Sequence, residues 1–194
     1  MSLPVYITFH VEPNELYLKQ GQKPDWIGFE EGFEFVKTVR EQSWFDQQIK
    51  FVWLVRADPQ IDTIYGDASW GIKKYRDKLS ELVTQADDIG IHVHPYRLQG
   101  DGQSWVQDFS DDEWLQHCIG TAFKHFSKEM QFAARCMSIG PNSTSTTIVN
   151  YCRELGIKYD FTPSHNGKRD FNQAPGVIKG AMKYYKSLPP YPYT

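Results

Sequence analysis

Residues 89–94 read IGIHVH, and Pro95 follows them. Apolar and β-branched residues, cut off by a proline that cannot continue a sheet ladder, describe a short buried strand. Side chains two apart on a strand share a face, so His92 and His94 stand together near its carboxyl end. Segments of the same kind recur on both sides. Residues 4–10 (PVYITFH) and 50–55 (KFVWLV) precede it, and 131–137 (QFAARCM) and 157–160 (IKYD) follow it. Between them lie segments with helical spacing. These are 30–45, with Phe33, Val36, Val39 and Trp44; 70–85, with Ile72, Tyr75, Leu79 and Leu82; 111–128, opened by Asp111 and Asp112; and 143–155, ended by Gly156. Residues 11–28, 57–69 and 96–110 read as long polar loops, and no element is assigned beyond Phe161.

Strand and helix therefore alternate about five times. Such alternation implies parallel strands with helical crossovers, either an open doubly wound sheet or a β/α barrel. In both, ligands bind at the carboxyl ends of the strands. His10 and Glu12 repeat the two-residue spacing at the end of the first strand. Two strands thus bring three imidazoles and a carboxylate to one rim. That donor set suits a divalent metal, zinc in particular, and the predicted ligands are His10, Glu12, His92 and His94. Arg56 and Asp58 follow the second strand with the same spacing. They suit either a substrate-binding role or an ion pair with each other. Arg135, read as lying inside the fourth strand, needs a buried partner there and is expected to orient an acid at the metal site. Asp160 ends the fifth strand as a further rim carboxylate. His117 and His125 read as ordinary helix-surface residues, and His165 falls in the unassigned region.

The 194 residues, 40% hydrophobic and 23% charged, fit one globular domain over 1–194. A net charge of −3 with both signs scattered argues against nucleic acid and against a polybasic membrane patch. No apolar run approaches the ~20 residues of a membrane span. No leader is evident, and a cytoplasmic location is expected. Cys118, Cys136 and Cys152 are odd in number and lack a C-x-x-C spacing, so they read as buried thiols. The aromatic content of 15% either lines a sugar-binding cleft or fills a bulky core. G-x-S-x-G, P-loop, G-x-G-x-x-G and H-E-x-x-H motifs are missing.

VYITFHVEPNE (5–15) resembles the first motif of the polysaccharide deacetylases of the NodB-homology superfamily, in which a Thr-Phe-Asp segment ends strand one. DDIGIHVHPYR (87–97) resembles the second motif, which supplies two metal-ligating histidines. Residues 132–164 resemble the stretch where an arginine motif precedes a helix and a Leu-Gly-Ile-x-Tyr-Asp segment leads the next strand. FVWLVRADPQID (51–62) is similar to a divergent branch linked to surface-polysaccharide biosynthesis. The resemblance implies a distorted β/α barrel, here C-terminally incomplete. It also implies metal-assisted removal of acyl groups from an acylated sugar or polysaccharide. A metal polarises the acyl carbonyl and activates water, a carboxylate acts as base, and a histidine protonates the leaving group. On that pattern His10, Glu12 and Arg135 are the catalytic candidates, carbohydrate is the partner, and zinc is the expected cofactor. Three departures stand out. His10 replaces the first-motif aspartate, His92 and His94 are closer together than the family's pair, and fewer strands are evident than a full barrel needs. The divergent branch tolerates the closer histidine pair, while the His10 replacement and the short chain support an alternative expectation, a deacetylase-like carbohydrate-binding protein with impaired catalysis. A phosphoesterase on a similar barrel would need more His and Asp ligands than this chain offers.

Overall fold

A computed structural model describes residues 6–15, 21–42, 49–140, 145–162 and 178–179. The elements run β1 (Ile7–Val11), α1 (Ile27–Arg40), β2 (Phe51–Arg56), α2 (Pro59–Tyr65), α3 (Trp70–Lys74), α4 (Arg76–Thr84), β3 (Asp88–Val93), β4 (Tyr96–Leu98), β5 (Trp105–Asp108), α5 (Asp112–Met130), β6 (Cys136–Ile139), α6 (Thr146–Glu154), β7 (Tyr159–Asp160) and β8 (Ile178–Lys179). Five strands form an all-parallel sheet in the order β1-β2-β3-β6-β7. A small second sheet, β4-β5-β8, joins the β4–β5 hairpin inserted between β3 and α5 to β8, which follows β7 in the chain. The fold is thus mixed α/β around a parallel sheet, as the alternation implies.

The two faces of the main sheet differ. Phe51, Trp53 and Val55 of β2 join Ile89, Ile91 and Val93 of β3 in a core covered by α1, α4, α5 and α6. The opposite face carries Val52, Leu54 and Cys136, packed with Phe161. This second face is strongly concave. Two strands separate β1 from β6, so side chains standing on them in a flat sheet would be roughly 14 Å apart. Yet His10 Nε2 lies 3.5 Å from Ser138 Oγ. Tyr6, just before β1, and Phe161, just after β7, meet edge to face at 5.6 Å across the same hollow. Gly90 helps make the curl possible. It points into the hollow, and a Cβ there would lie 2.1 Å from the Cys136 carbonyl oxygen on β6.

Several segments differ from the sequence reading. Residues 57–69 are not all loop. Asp58 caps α2 by accepting from the Gln60 and Ile61 amides at 3.0 and 3.3 Å, and Gly66, at φ 77°, ends it. The helix expected over 70–85 breaks at Tyr75, whose ring is drawn edge-on against Phe29 while its hydroxyl donates to Glu30. The loop expected over 96–110 contains the β4–β5 hairpin. The fourth strand starts at Cys136 rather than at Gln131, because Gln131 takes the left-handed cap of α5 (φ 63°). The ends of the strand and helix expected over 4–10 and 30–45, and the unassigned region beyond Phe161 with His165, fall partly or wholly outside the described residues. Aromatic residues fill the core: Trp26 and Trp53 are fully buried, and Tyr65 and Tyr75 nearly so.

Asp58 ties these parts together. It is fully buried, and its Oδ2 accepts from Arg56 Nε at 2.7 Å and from the His94 amide at 3.0 Å. With the two helix-cap bonds on Oδ1, one carboxylate joins β2, α2 and the end of β3. Arg56, 2% exposed, gives its remaining donors to Gln60 Oε1 and toward Glu12. Burial disfavours its charge, but Asp58 and Glu12 outweigh that and raise its pKa.

Gly90→Ala is expected to cost about 1–3 kcal/mol, the usual range for an overpacked interior. It should appear as a lower urea midpoint, and an unchanged midpoint would contradict the close approach of β3 and β6. Asp58→Ala leaves Arg56 buried without its main counter-charge and should cost about 3–5 kcal/mol. Asp58→Asn, which retains a cap acceptor, should cost less in the same titration.

Candidate metal centre

Strand register sets the site. Arg56 pairs with His92, and His92 with Ser138, so these three stand level across β2, β3 and β6. Val11 pairs with Val55, which brings Glu12 to the same level beside Arg56. The row lies at the carboxyl ends of parallel strands, on the concave face. His94 follows one step higher on β3's side. Its ring fits because residue 140 is glycine: a Cβ there would lie 2.4 Å from the His94 Cε1 atom.

The hydrogen bonds assign the ring atoms. His92 Nδ1 lies 2.7 Å from Ser138 Oγ and 3.3 Å from the Ser138 carbonyl oxygen. A carbonyl oxygen only accepts, so Nδ1 carries the proton and the lone pair sits on Nε2. His94 Nδ1 faces Gln107 Oε1 at 3.3 Å, which places the His94 lone pair on Nε2 as well. The two Nε2 atoms are 2.9 Å apart. Glu12 Oε2 is 3.1 Å from His94 Nε2 and 3.6 Å from His92 Nε2. Three electron-pair donors thus converge, and the second ring nitrogen of each imidazole is already engaged. Ligands about 2.0–2.1 Å from one zinc ion lie roughly 2.8–3.6 Å from each other for angles of about 90–120° at the ion, so the spacing fits a shared cation.

Charges agree with this. Burial opposes ionisation of Glu12, but His92, His10 and His94 around it hold its carboxyl well below the usual carboxylate range. His92, 1% exposed, moves the opposite way. Its desolvation exceeds the pull of Glu12, and His94, His10 and Arg56 add to it, so the imidazole stays neutral well below its ordinary pKa. A neutral imidazole and an ionised carboxylate are the forms that bind metal.

His10 belongs to the cluster in a different way. One donor atom each from His10, Glu12 and His92 lies within 4.8 Å of the others. However, the His10 ring is stacked on His92 at 4.0 Å, with 22° between planes. A histidine binds a metal in its ring plane, and two stacked rings cannot both aim in-plane lone pairs at one point. His92 and His94, at 86°, can. Glu12, His92 and His94 are therefore the better-placed ligand set, and His10 flanks it. His10 is 44% exposed and faces Glu12 Oε1 at 3.6 Å through Nδ1.

The other candidates divide. Arg56 reaches Glu12 Oε2 at 3.8 Å and lines a pocket of about 100 Å³ with Glu12, Pro13, Asn14, Glu15 and His94. Asp58 has no exposure and both oxygens engaged internally, so substrate does not reach it. Arg135 is a correction. It precedes β6, is exposed, and lines a separate pocket with Asp87, Asp88 and Phe132 at the amino end of the sheet. Ser138 lies three positions further on, roughly 10 Å along a strand. Asp160 accepts from the Thr162 amide at 2.8 Å, and burial raises its pKa. His117 stacks on Trp114 and His125 Nδ1 approaches Ser69, away from the cluster. The three cysteines are buried free thiols, and burial pushes Cys136 and Cys152 up to about 12. Ser138, Tyr96 and Gln107 join the site without having been singled out from the sequence. No helix among the described residues is long and apolar enough to cross a membrane.

Comparison with protein-family models finds no match, and comparison with curated proteins finds none either. Among solved structures, a CE4 family pseudoenzyme, BA3943 from Bacillus anthracis, matches with a TM-score of 0.46 and 8% identity, over 80% of this chain and 41% of that one. A mutant of it with restored enzymatic activity matches at the same TM-score. Peptidoglycan deacetylase PdaC from Bacillus subtilis matches with a TM-score of 0.43 and 10% identity, over 80% of this chain and 56% of that one. IcaB from Ammonifex degensii matches with a TM-score of 0.38 and 13% identity, over 79% and 80%. The chain thus spans less than three fifths of the pseudoenzyme and of PdaC.

Proposed function

We propose that this protein is a metal-dependent deacylase acting on an acylated sugar or polysaccharide. The carrying observation is the convergence of two imidazole lone pairs and the Glu12 carboxylate within 2.9–3.6 Å. In the tautomers assigned above, those lone pairs repel one another unless a cation or a proton lies between them. The resemblance of residues 5–15 and 87–97 to deacetylase motifs supplies the reaction class. The strong curl of the sheet supports a distorted or incomplete β/α barrel, formed as one domain.

Glu12, His92 and His94 would hold the ion, with zinc the natural choice for two nitrogens and one oxygen. When bound, it would polarise an acyl carbonyl and lower the pKa of a water. Arg56 lies 3.8 Å from Glu12 Oε2 and faces the pocket, where it can donate to a sugar hydroxyl or acyl oxygen. His10, exposed beside Glu12, is the group best placed to take or return a proton at Nδ1. Pro13, Asn14 and Glu15 form the adjoining wall, and the Asn14 side chain holds it by accepting from the Gly28 amide at 2.8 Å.

One observation favours a second reading, a carbohydrate-binding protein without turnover. His10 occupies the position where the resembled motif carries its aspartate base. An imidazole stacked on His92 is a less freely aimed base than a carboxylate.

Protein purified without a tag should take up about one equivalent of zinc or cobalt by elemental analysis. His92→Ala and His94→Ala should each weaken binding at least ~100-fold, since loss of even an outer partner typically costs ~10–100-fold. His10→Ala should leave affinity within a few-fold. Unchanged affinity in both the His92 and His94 variants would overturn the ligand assignment. Loaded protein should release acetate from N- or O-acetylated oligosaccharides, and His10→Asp should raise the rate. Saturable oligosaccharide binding with no acetate from either form would favour the second reading.

A further inference from the structure

We infer that Gln107, on the inserted hairpin, is the positioning residue that aims His94 at the metal, with Tyr96 anchoring its amide. This rests on the metal centre proposed above. Gln107 is 4% exposed and Tyr96 is 2% exposed. They are direct partners across the β4–β5 ladder. Gln107 Nε2 donates to the Tyr96 hydroxyl at 3.0 Å, which leaves Oε1 directed at His94 Nδ1, 3.3 Å away. An amide oxygen only accepts, so the His94 proton is drawn to Nδ1 and the Nε2 lone pair faces Glu12 and His92. A flipped amide would offer N–H to Nδ1 and force the proton onto Nε2, where it would block a ligand bond. Orientation of this one amide therefore selects between a metal-binding and a non-binding tautomer.

The hairpin is held firmly enough for this. The Asp108 amide and Trp114 Nε1 both donate to the Pro95 carbonyl, at 2.9 and 3.0 Å. Arg97 donates to Asp111 at 2.6 Å, at the start of α5. Tyr96 is stacked near His94, with 5.6 Å between ring centroids, and Arg56 lies over its face. His92 needs no such device, because the Ser138 backbone carbonyl already fixes its tautomer. The two ligands on β3 are thus oriented by different means, one by backbone and one by a side chain from an insertion.

Cobalt(II) titration of the full chain, followed by its visible absorption bands and by competition with a chelator, tests the assignment. Gln107→Leu, of similar size, should weaken cobalt binding ~10–100-fold and alter the band shape. Gln107→Glu, which retains an acceptor, should bind within a few-fold of the original protein. Tyr96→Phe should fall between them and provides the test if Gln107→Leu does not fold. Melting temperatures of the metal-free proteins report folding separately. Equal cobalt affinity in the original, Gln107→Leu and Tyr96→Phe proteins would overturn the inference while leaving the metal centre intact. Equal weakening by Gln107→Leu and Gln107→Glu would also overturn it, as a packing effect. Failure of the original protein to bind cobalt would overturn the metal centre and this inference together.

Discussion

Asp58 accepts hydrogen bonds from Arg56, Gln60, Ile61 and His94, and has no contact with solvent. A buried carboxylate is costly unless every lone pair is used, and here the uses come from three separate elements. It caps α2, neutralises Arg56 and fixes the backbone at the position where β3 ends and His94 begins. Arg56 then has a donor left for Glu12. The level row of Glu12, Arg56, His92 and Ser138 depends on this ion pair, because β2 and β3 would otherwise end in a desolvated, unpaired guanidinium.

The second constraint is curvature. A flat parallel sheet would hold β1 and β6 far apart, with Glu12 on one side and Ser138 on the other. Gly90 lets the backbones of β3 and β6 approach, and Gly140 leaves room for the His94 ring. Both glycines therefore act on the site through space they leave empty. Catalytic-type constellations need their parts held within fractions of an ångström, and rigid strands do this better than loops.

Much of this was legible in the sequence. Alternation of strand and helix gave the parallel α/β order, and the i, i+2 spacing of His10/Glu12 and His92/His94 put all four on one rim. Two kinds of information were not local and so could not be read. One is where a helix cap overrides a hydrophobic run: Gln131, in its left-handed cap, moved the start of β6 and carried Arg135 out of the strand. The other is insertion geometry. A polar stretch such as 96–110 has loop composition, yet Tyr96 and Gln107 pair within it because both are buried against His94. Asp58 carried a hint in its sequence context. An Asp followed by Pro is a strong helix-start signal, and it lies in a segment that the Asp, Pro and Gly content made look like loop.

The division of labour among the histidines follows from ring orientation more than from proximity. His10 is as near to Glu12 as a ligand would be, but its stacking on His92 turns its lone pairs out of the shared plane. That stacking also explains how three imidazoles coexist beside one carboxylate. His92 is desolvated and neutral, so it adds no positive charge next to exposed His10. With Asp58 committed to Arg56, Glu12 is the carboxylate among the described residues that faces the imidazole pair. A single carboxylate and two neutral imidazoles suit a divalent ion, and they leave the exposed edge of the site to His10. Its 44% exposure suits a group that meets solvent, while its stacking on His92 turns it away from the point the other two imidazoles share.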